Sequence, residues 1–120
     1  MIKHGGGGKI VSNSSVGGRH GELDFPFCPL GKAAFLNHTQ SVAYNGAPHG
    51  INVNAVCPGI IRTPMWDVIL YAISRGPRDV DREKLFNDIL KSRIPLGKVY
   101  RPGKILSTRY FFFALHARMR

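Results

Sequence analysis

The sequence predicts an α/β fold organised around a parallel sheet, and three observations carry that prediction. Two short runs rich in β-branched residues, 9–14 and 51–57, are separated by a stretch of helix formers over 30–45. Each run ends in turn-forming residues, Ser14-Ser15 in one case and Pro58-Gly59 in the other. A strand, a crossover helix and a second strand within about fifty residues form the unit of a parallel sheet, whose ligand sites gather at the carboxyl ends of the strands.

Taken in order, Gly5 to Gly8 punctuate the chain before the first strand, Lys9-Ile10-Val11-Ser12-Asn13-Ser14. Four glycines followed by Lys9 invite comparison with a phosphate-binding loop. The spacing fails, because the required earlier glycine falls on Lys3, Ile10 follows Lys9, and no strand precedes the loop. The helix over 30–45 is carried by Ala33, Ala34, Leu36, Val42, Ala43 and Tyr44. Pro29 suits its first turn, and Gly46-Ala47-Pro48 stops it. The second strand, 51–57, cannot continue through Pro58-Gly59. Beyond Pro64, residues 65–74 read as a short helix and 81–92 as a better one, with Leu85, Phe86, Ile89 and Leu90 on one face. Pro95-Leu96-Gly97 and Pro102-Gly103 break the chain again, and a crowded apolar pattern from 104 onward, including Phe111, Phe112 and Phe113, marks a last helix.

The totals narrow the class. A chain of 120 residues has room for one domain and one core. Its 43% hydrophobic and 20% charged residues are those of an ordinary globular protein. The net charge of +10 is uneven: residues 75–120 hold twelve of the seventeen Lys and Arg but four of the seven acids. Such a surface attracts phosphates or anionic lipid. No zinc-finger spacing, aromatic RNA-binding signature or basic heptad accompanies it, so nucleic-acid binding is disfavoured. Cys28 and Cys57 are too few for a disulfide scaffold and lack partners at metal-ligand spacing, so no metal site is expected and a reducing cytoplasm is the default. The longest apolar stretch, 111–115, falls far short of a membrane span.

Three separate strings give the chemistry. They are Gly7-Gly8-Lys9-Ile10-Val11-Ser12-Asn13-Ser14-Ser15-Val16-Gly17-Gly18, then Gly31-Lys32-Ala33-Ala34, then His49-Gly50-Ile51-Asn52-Val53-Asn54-Ala55-Val56-Cys57-Pro58-Gly59-Ile60-Ile61-Arg62-Thr63-Pro64-Met65. In this order and spacing the stretch resembles the short-chain dehydrogenase/reductase family, closest to its polyol and sorbitol dehydrogenase members. The resemblance covers about half the chain, and its three blocks together are far more specific than any one alone. It implies a partial Rossmann-like parallel sheet, a strand-helix-strand unit followed by C-terminal helices and truncated relative to the family. Residues 1–101 would form the C-terminal portion of such a domain, with 102–120 an atypical basic and aromatic tail.

By that resemblance Ser15 hydrogen-bonds the substrate's alcohol or carbonyl oxygen. A tyrosine thirteen residues later exchanges the proton, and Lys32, four residues beyond it, lowers the phenol's pKa and holds the nicotinamide ribose. Counting from either end, that tyrosine position is occupied by Cys28. A thiol can give up a proton, but it is several ångströms shorter than a phenol and would not reach the same oxygen. Pro58, Gly59, the backbone around Ile61 and the hydroxyl of Thr63 correspond to the family's grip on the cofactor's carboxamide. The Gly-rich pyrophosphate turn, the residue that reads the adenosine ribose and the relay asparagine have no counterpart in the sequence.

The resemblance therefore implies NAD or NADP as cofactor, an alcohol or carbonyl compound as substrate, and an NAD(P)-dependent oxidoreductase that is an inactive fragment as written. The competing reading is a non-catalytic interaction module that self-associates through the helix over 30–45, as family dimers do. No membrane partner is expected.

Overall fold

A computed structural model describes residues 1–22, 25–74 and 80–99. They fall into two compact units, Met1–Pro58 and the described residues from Gly59 onward, each with its own buried side chains.

The first unit is the expected strand-helix-strand. β1 (Gly8–Asn13) and β2 (Ile51–Val56) pair in parallel, with Gly8 opposite Ile51 and Asn13 opposite Val56. Backbone bonds prolong the ladder at both ends. Gly8 N donates to Gly50 O at 3.3 Å, Ser14 N to Val56 O at 2.9 Å, and Val16 N to Pro58 O at 3.0 Å. The loops after the two strands thus leave the sheet side by side. At the opposite end Gly7 has φ +74, and a Cβ there would sit 2.5 Å from the Gly50 carbonyl oxygen, so only glycine fits where the strands begin.

The crossover helix α1 spans Phe27–Gly46, three residues earlier than the apolar pattern predicts. Its N-cap is Pro26, which offers no side-chain acceptor, and Leu30 N bonds Pro26 O at 3.3 Å. The start carries none of the usual polar cap signal, which is why it is hard to read. Pro29 is tolerated because a first-turn residue needs no intrahelical N–H partner. A stripe of Pro29, Lys32, Leu36, Thr39, Ala43 and Gly46, spaced by three and four, is buried or half-buried, and α1 packs on β2 and on the short 3-10 turn Val16–Arg19. Thr39 satisfies its hydroxyl internally, donating to Phe35 O at 2.8 Å. On the sheet, Ile51 and Val53 are the buried aliphatics, each contributing about 1.5–3 kcal/mol.

In the second unit α2 (Met65–Ile73) and α3 (Arg82–Arg93) pack through Leu70, Phe86 and Leu90. Leu85 and Ile89 pack half-buried against them, completing the predicted face of α3. Asp81 caps α3, accepting from Glu83 N and Lys84 N at 3.0 Å each. The Trp66 and Phe86 rings meet edge to face with centroids 5.1 Å apart. Among the described residues the buried aliphatic and aromatic side chains are Ile51 and Val53 in the first unit and Leu70, Phe86 and Leu90 in the second. The reading of a tail over 102–120 and of a last helix from 104 lies outside the described residues. No helix among the described residues is long and apolar enough to cross a membrane.

Candidate active site

At the carboxyl end of β1 the chain turns through Ser14 and Ser15 into the 3-10 turn. Ser15 is extended and half-buried, and its Oγ accepts from Gly17 N at 3.2 Å. Accepting uses a lone pair and leaves the O–H able to donate to another oxygen. Ser14, one residue earlier, is 5% exposed and donates its Oγ–H to the Lys32 carbonyl at 3.0 Å. The Lys32 ammonium reaches back to the Asn13 carbonyl at 3.5 Å, a long contact open to solvent. The Ser15 loop and the Lys32 helix are therefore tied twice through their immediate neighbours.

Gly18 adds a third constraint. A Cβ built on it would lie 2.8 Å from the Lys32 carbonyl carbon and 2.9 Å from its oxygen, so the loop backbone rests directly on the helix backbone. Cys28 stands one turn before Lys32 on α1, an exposed free thiol. Cys57 is half-buried, also as a free thiol. Pro58, through the bond its carbonyl accepts from Val16 N, lies beside the Ser15 loop.

Gly59, Ile61 and Thr63 belong to the second unit. Ile61 and Thr63 are half-buried, and the Thr63 carbonyl accepts from Trp66 N at 2.9 Å at the start of α2. Between them Arg62 is held at three points: Nη1 on Asp67 at 2.9 Å, Nη2 towards Glu83 at 3.7 Å, and the guanidinium 4.8 Å over the Phe86 ring. Arg62 lies inside the matched string, where its residue type alone carries no signal of this role. Its role as an anchor depends on α3, twenty residues away, and no local pattern reports it. No group of three metal-ligating side chains occurs among the described residues.

On this parallel strand-helix-strand unit Ser15 follows the end of β1 and Lys32 lies on α1, and the hydroxyl that reaches Lys32, at its carbonyl, is that of the neighbouring Ser14. A family model described as Enoyl-(Acyl carrier protein) reductase matches residues 1–119. The chain belongs to the short-chain dehydrogenase/reductase family. Among curated relatives it is 42% identical over 113 residues to galactitol 2-dehydrogenase of Agrobacterium fabrum, which covers 92% of this chain and 43% of the relative. It is 47% identical over 68 residues to sorbitol dehydrogenase of Cereibacter sphaeroides, covering 56% of this chain and 26% of that one. The fold matches the L-sorbose reductase of Gluconobacter frateurii, solved with NADPH and L-sorbose, at a TM-score of 0.76 and 22% identity over 92% of this chain and 41% of that one. Actinorhodin polyketide ketoreductase with NADPH matches at 0.69 and 28% identity over 86% of this chain and 39% of that one. The chain thus spans under half the length of these short-chain dehydrogenase/reductase relatives.

Proposed function

We propose that the chain is the substrate-side portion of an NAD(P)-dependent oxidoreductase that interconverts an alcohol or polyol with its carbonyl, and that its proton relay is interrupted at position 28. The observation that carries this reading is the Ser14 to Lys32 hydrogen bond at 3.0 Å, which sets the Ser15 loop against the helix bearing Lys32. A hydroxyl able to donate and an ammonium able to donate suit the substrate oxygen and the ribose hydroxyls respectively. The donor pair of the first unit, Ser15 and Lys32, therefore fits the substrate oxygen and the nicotinamide ribose of the cofactor. Bound there, NAD or NADP supplies or accepts the hydride. Ser15 orients the substrate oxygen, and Lys32 holds positive charge near the position where a proton must move. Cys28 is the weak link, because geometry precedes acidity in proton transfer and its sulfur stops short of where a phenol oxygen would sit. Two free thiols, Cys28 and Cys57, support a reducing cytoplasm as the site of action.

The test is the formation of reduced nicotinamide from galactitol or sorbitol with NAD or NADP, in the protein as it stands and in Ser15→Ala. No turnover is expected. Turnover that vanishes in Ser15→Ala would show that a proton still moves at this site, overturning the interrupted relay while upholding the site. Turnover that Ser15→Ala leaves unchanged would overturn the site itself.

A second reading, self-association through α1, is favoured by one observation. The helix leaves Phe27 84%, Leu30 66% and Tyr44 82% exposed, large apolar surfaces that water disfavours. Sedimentation is expected to show a species larger than one chain that Leu30→Asp converts to monomer. A monomer before the substitution would remove this reading.

A further inference from the structure

We propose that Ser14 is a positioning residue for Lys32, fixing where its ammonium stands by gripping its backbone. The proposal rests on the reading that Lys32 serves the site, but the geometry behind it is independent of catalysis. Three contacts from one loop converge on this one helical residue. The Ser14 hydroxyl donates to the Lys32 carbonyl at 3.0 Å. The Gly18 backbone abuts the same carbonyl so closely that an added Cβ would stand 2.9 Å from its oxygen. The ammonium at the far end of the side chain returns to Asn13 O, next to Ser14 in sequence.

Lys32 is thus held at both ends by consecutive residues of the strand terminus. A lysine side chain has four rotatable carbons and loses much entropy when its tip is fixed. Fixing the backbone first shortens the search for the tip. Ser14 suits this task because it is buried at 5% exposure and so cannot trade its partner for water without opening the loop. A carbonyl within a helix already accepts one backbone bond, and its second lone pair accepts from the hydroxyl. The loop therefore grips the helix without breaking it.

The experiment reads the amine, not turnover. Limiting N-hydroxysuccinimidyl acetate is added to the whole chain, and acetylation of Lys32 is mapped against exposed Lys9. An ammonium held against a carbonyl must leave it before its nitrogen can attack the ester, so Lys32 is expected to react more slowly than Lys9. In Ser14→Ala the Lys32 rate is expected to rise about threefold relative to Lys9, the change that loss of one modest hydrogen bond allows. Ser14→Thr, which keeps the hydroxyl, is expected to restore the slow rate. A Lys32 rate unchanged in Ser14→Ala, or one that rises in step with Lys9 as general loosening would cause, overturns the proposal. Should Ser14→Ala fail to fold, the unsubstituted protein decides the matter: equal rates at Lys32 and Lys9 overturn it, and a slower Lys32 supports it. Loss of the Ser15 activity reading would leave these rates untouched, so the two failures are distinguishable.

Discussion

Phe86→Ala is expected to destabilise the second unit by about 3–5 kcal/mol, the usual range for truncating a buried aromatic. Phe86 is 3% exposed and carries three relationships at once. It packs with Leu70 and Leu90 in the buried cluster, presents its ring to Trp66 at 5.1 Å, and lies under the Arg62 guanidinium at 4.8 Å. Truncation opens a cavity between α2 and α3 and also strips Arg62 of one of its three anchors. The chain has a single tryptophan, so urea unfolding followed by Trp66 fluorescence reports this cluster directly. Val68→Ala is the control, since that side chain is 69% exposed, and its effect is expected to stay within about 0.5 kcal/mol. Equal midpoints for the two variants would mean that Phe86 does not organise the unit. Arg62 neighbours Ile61 and Thr63, so the same change is expected to loosen the segment that corresponds to the family's grip on the carboxamide.

The helices of this unit were legible because their buried face is apolar. Leu85, Phe86, Ile89 and Leu90 repeat at helical spacing, whereas Asp81, which the sequence pattern places inside the helix, is its cap. The strands were legible for a similar reason, as β-branched runs closed by turn residues, and their parallel pairing follows from the helix between them. The crossover helix is the opposite case. Its inward stripe consists of Pro29, Lys32, Leu36, Thr39, Ala43 and Gly46, of which only Leu36 is a large aliphatic. Ala33, Ala34 and Tyr44, which mark the helix in the sequence, face outward. Apolar periodicity therefore identifies that a helix exists but misplaces its start and cannot say which side meets the sheet. The stripe works because small and self-satisfied residues let α1 lie close to its neighbours: a Cβ on Gly46 would come within 3.1 Å of Ile51 Cβ.

The candidate site divides along the same line. Ser15, Cys28 and Lys32 are candidates through the resemblance to the short-chain dehydrogenase/reductase family, whose matched strings lie within a local stretch of chain. What holds them was not found. Ser14 meets Lys32 across eighteen positions, and Arg62 meets Glu83 across a helix and the segment after it. Such partnerships exist only once the elements pack, and no residue type announces them beforehand. The nearest signal was the Gly17-Gly18 pair, since consecutive glycines after a strand often mark a close backbone approach.

That approach predicts the second large effect. Gly18→Val is expected to destabilise the first unit by about 1–3 kcal/mol or more, because its Cβ would collide with backbone at three points. The distances are 2.8 Å to the Lys32 carbonyl carbon, 2.9 Å to its oxygen and 3.1 Å to Ala33 N. A side chain in the way could rotate, but helix backbone cannot, so either the loop lifts or α1 shifts. Both movements pull Lys32 away from Ser14 and Asn13, which makes the substitution a probe of the site as well as of the fold. Gly21→Val is the matched control, with nothing within 4 Å of its added Cβ, and is expected to change stability by no more than about 0.5 kcal/mol. Urea midpoints followed by far-ultraviolet circular dichroism compare the two. If Gly18→Val is as stable as Gly21→Val, the loop does not bear on the helix at Lys32, and the close backbone contact that sets Ser15 against Lys32 is refuted together with it.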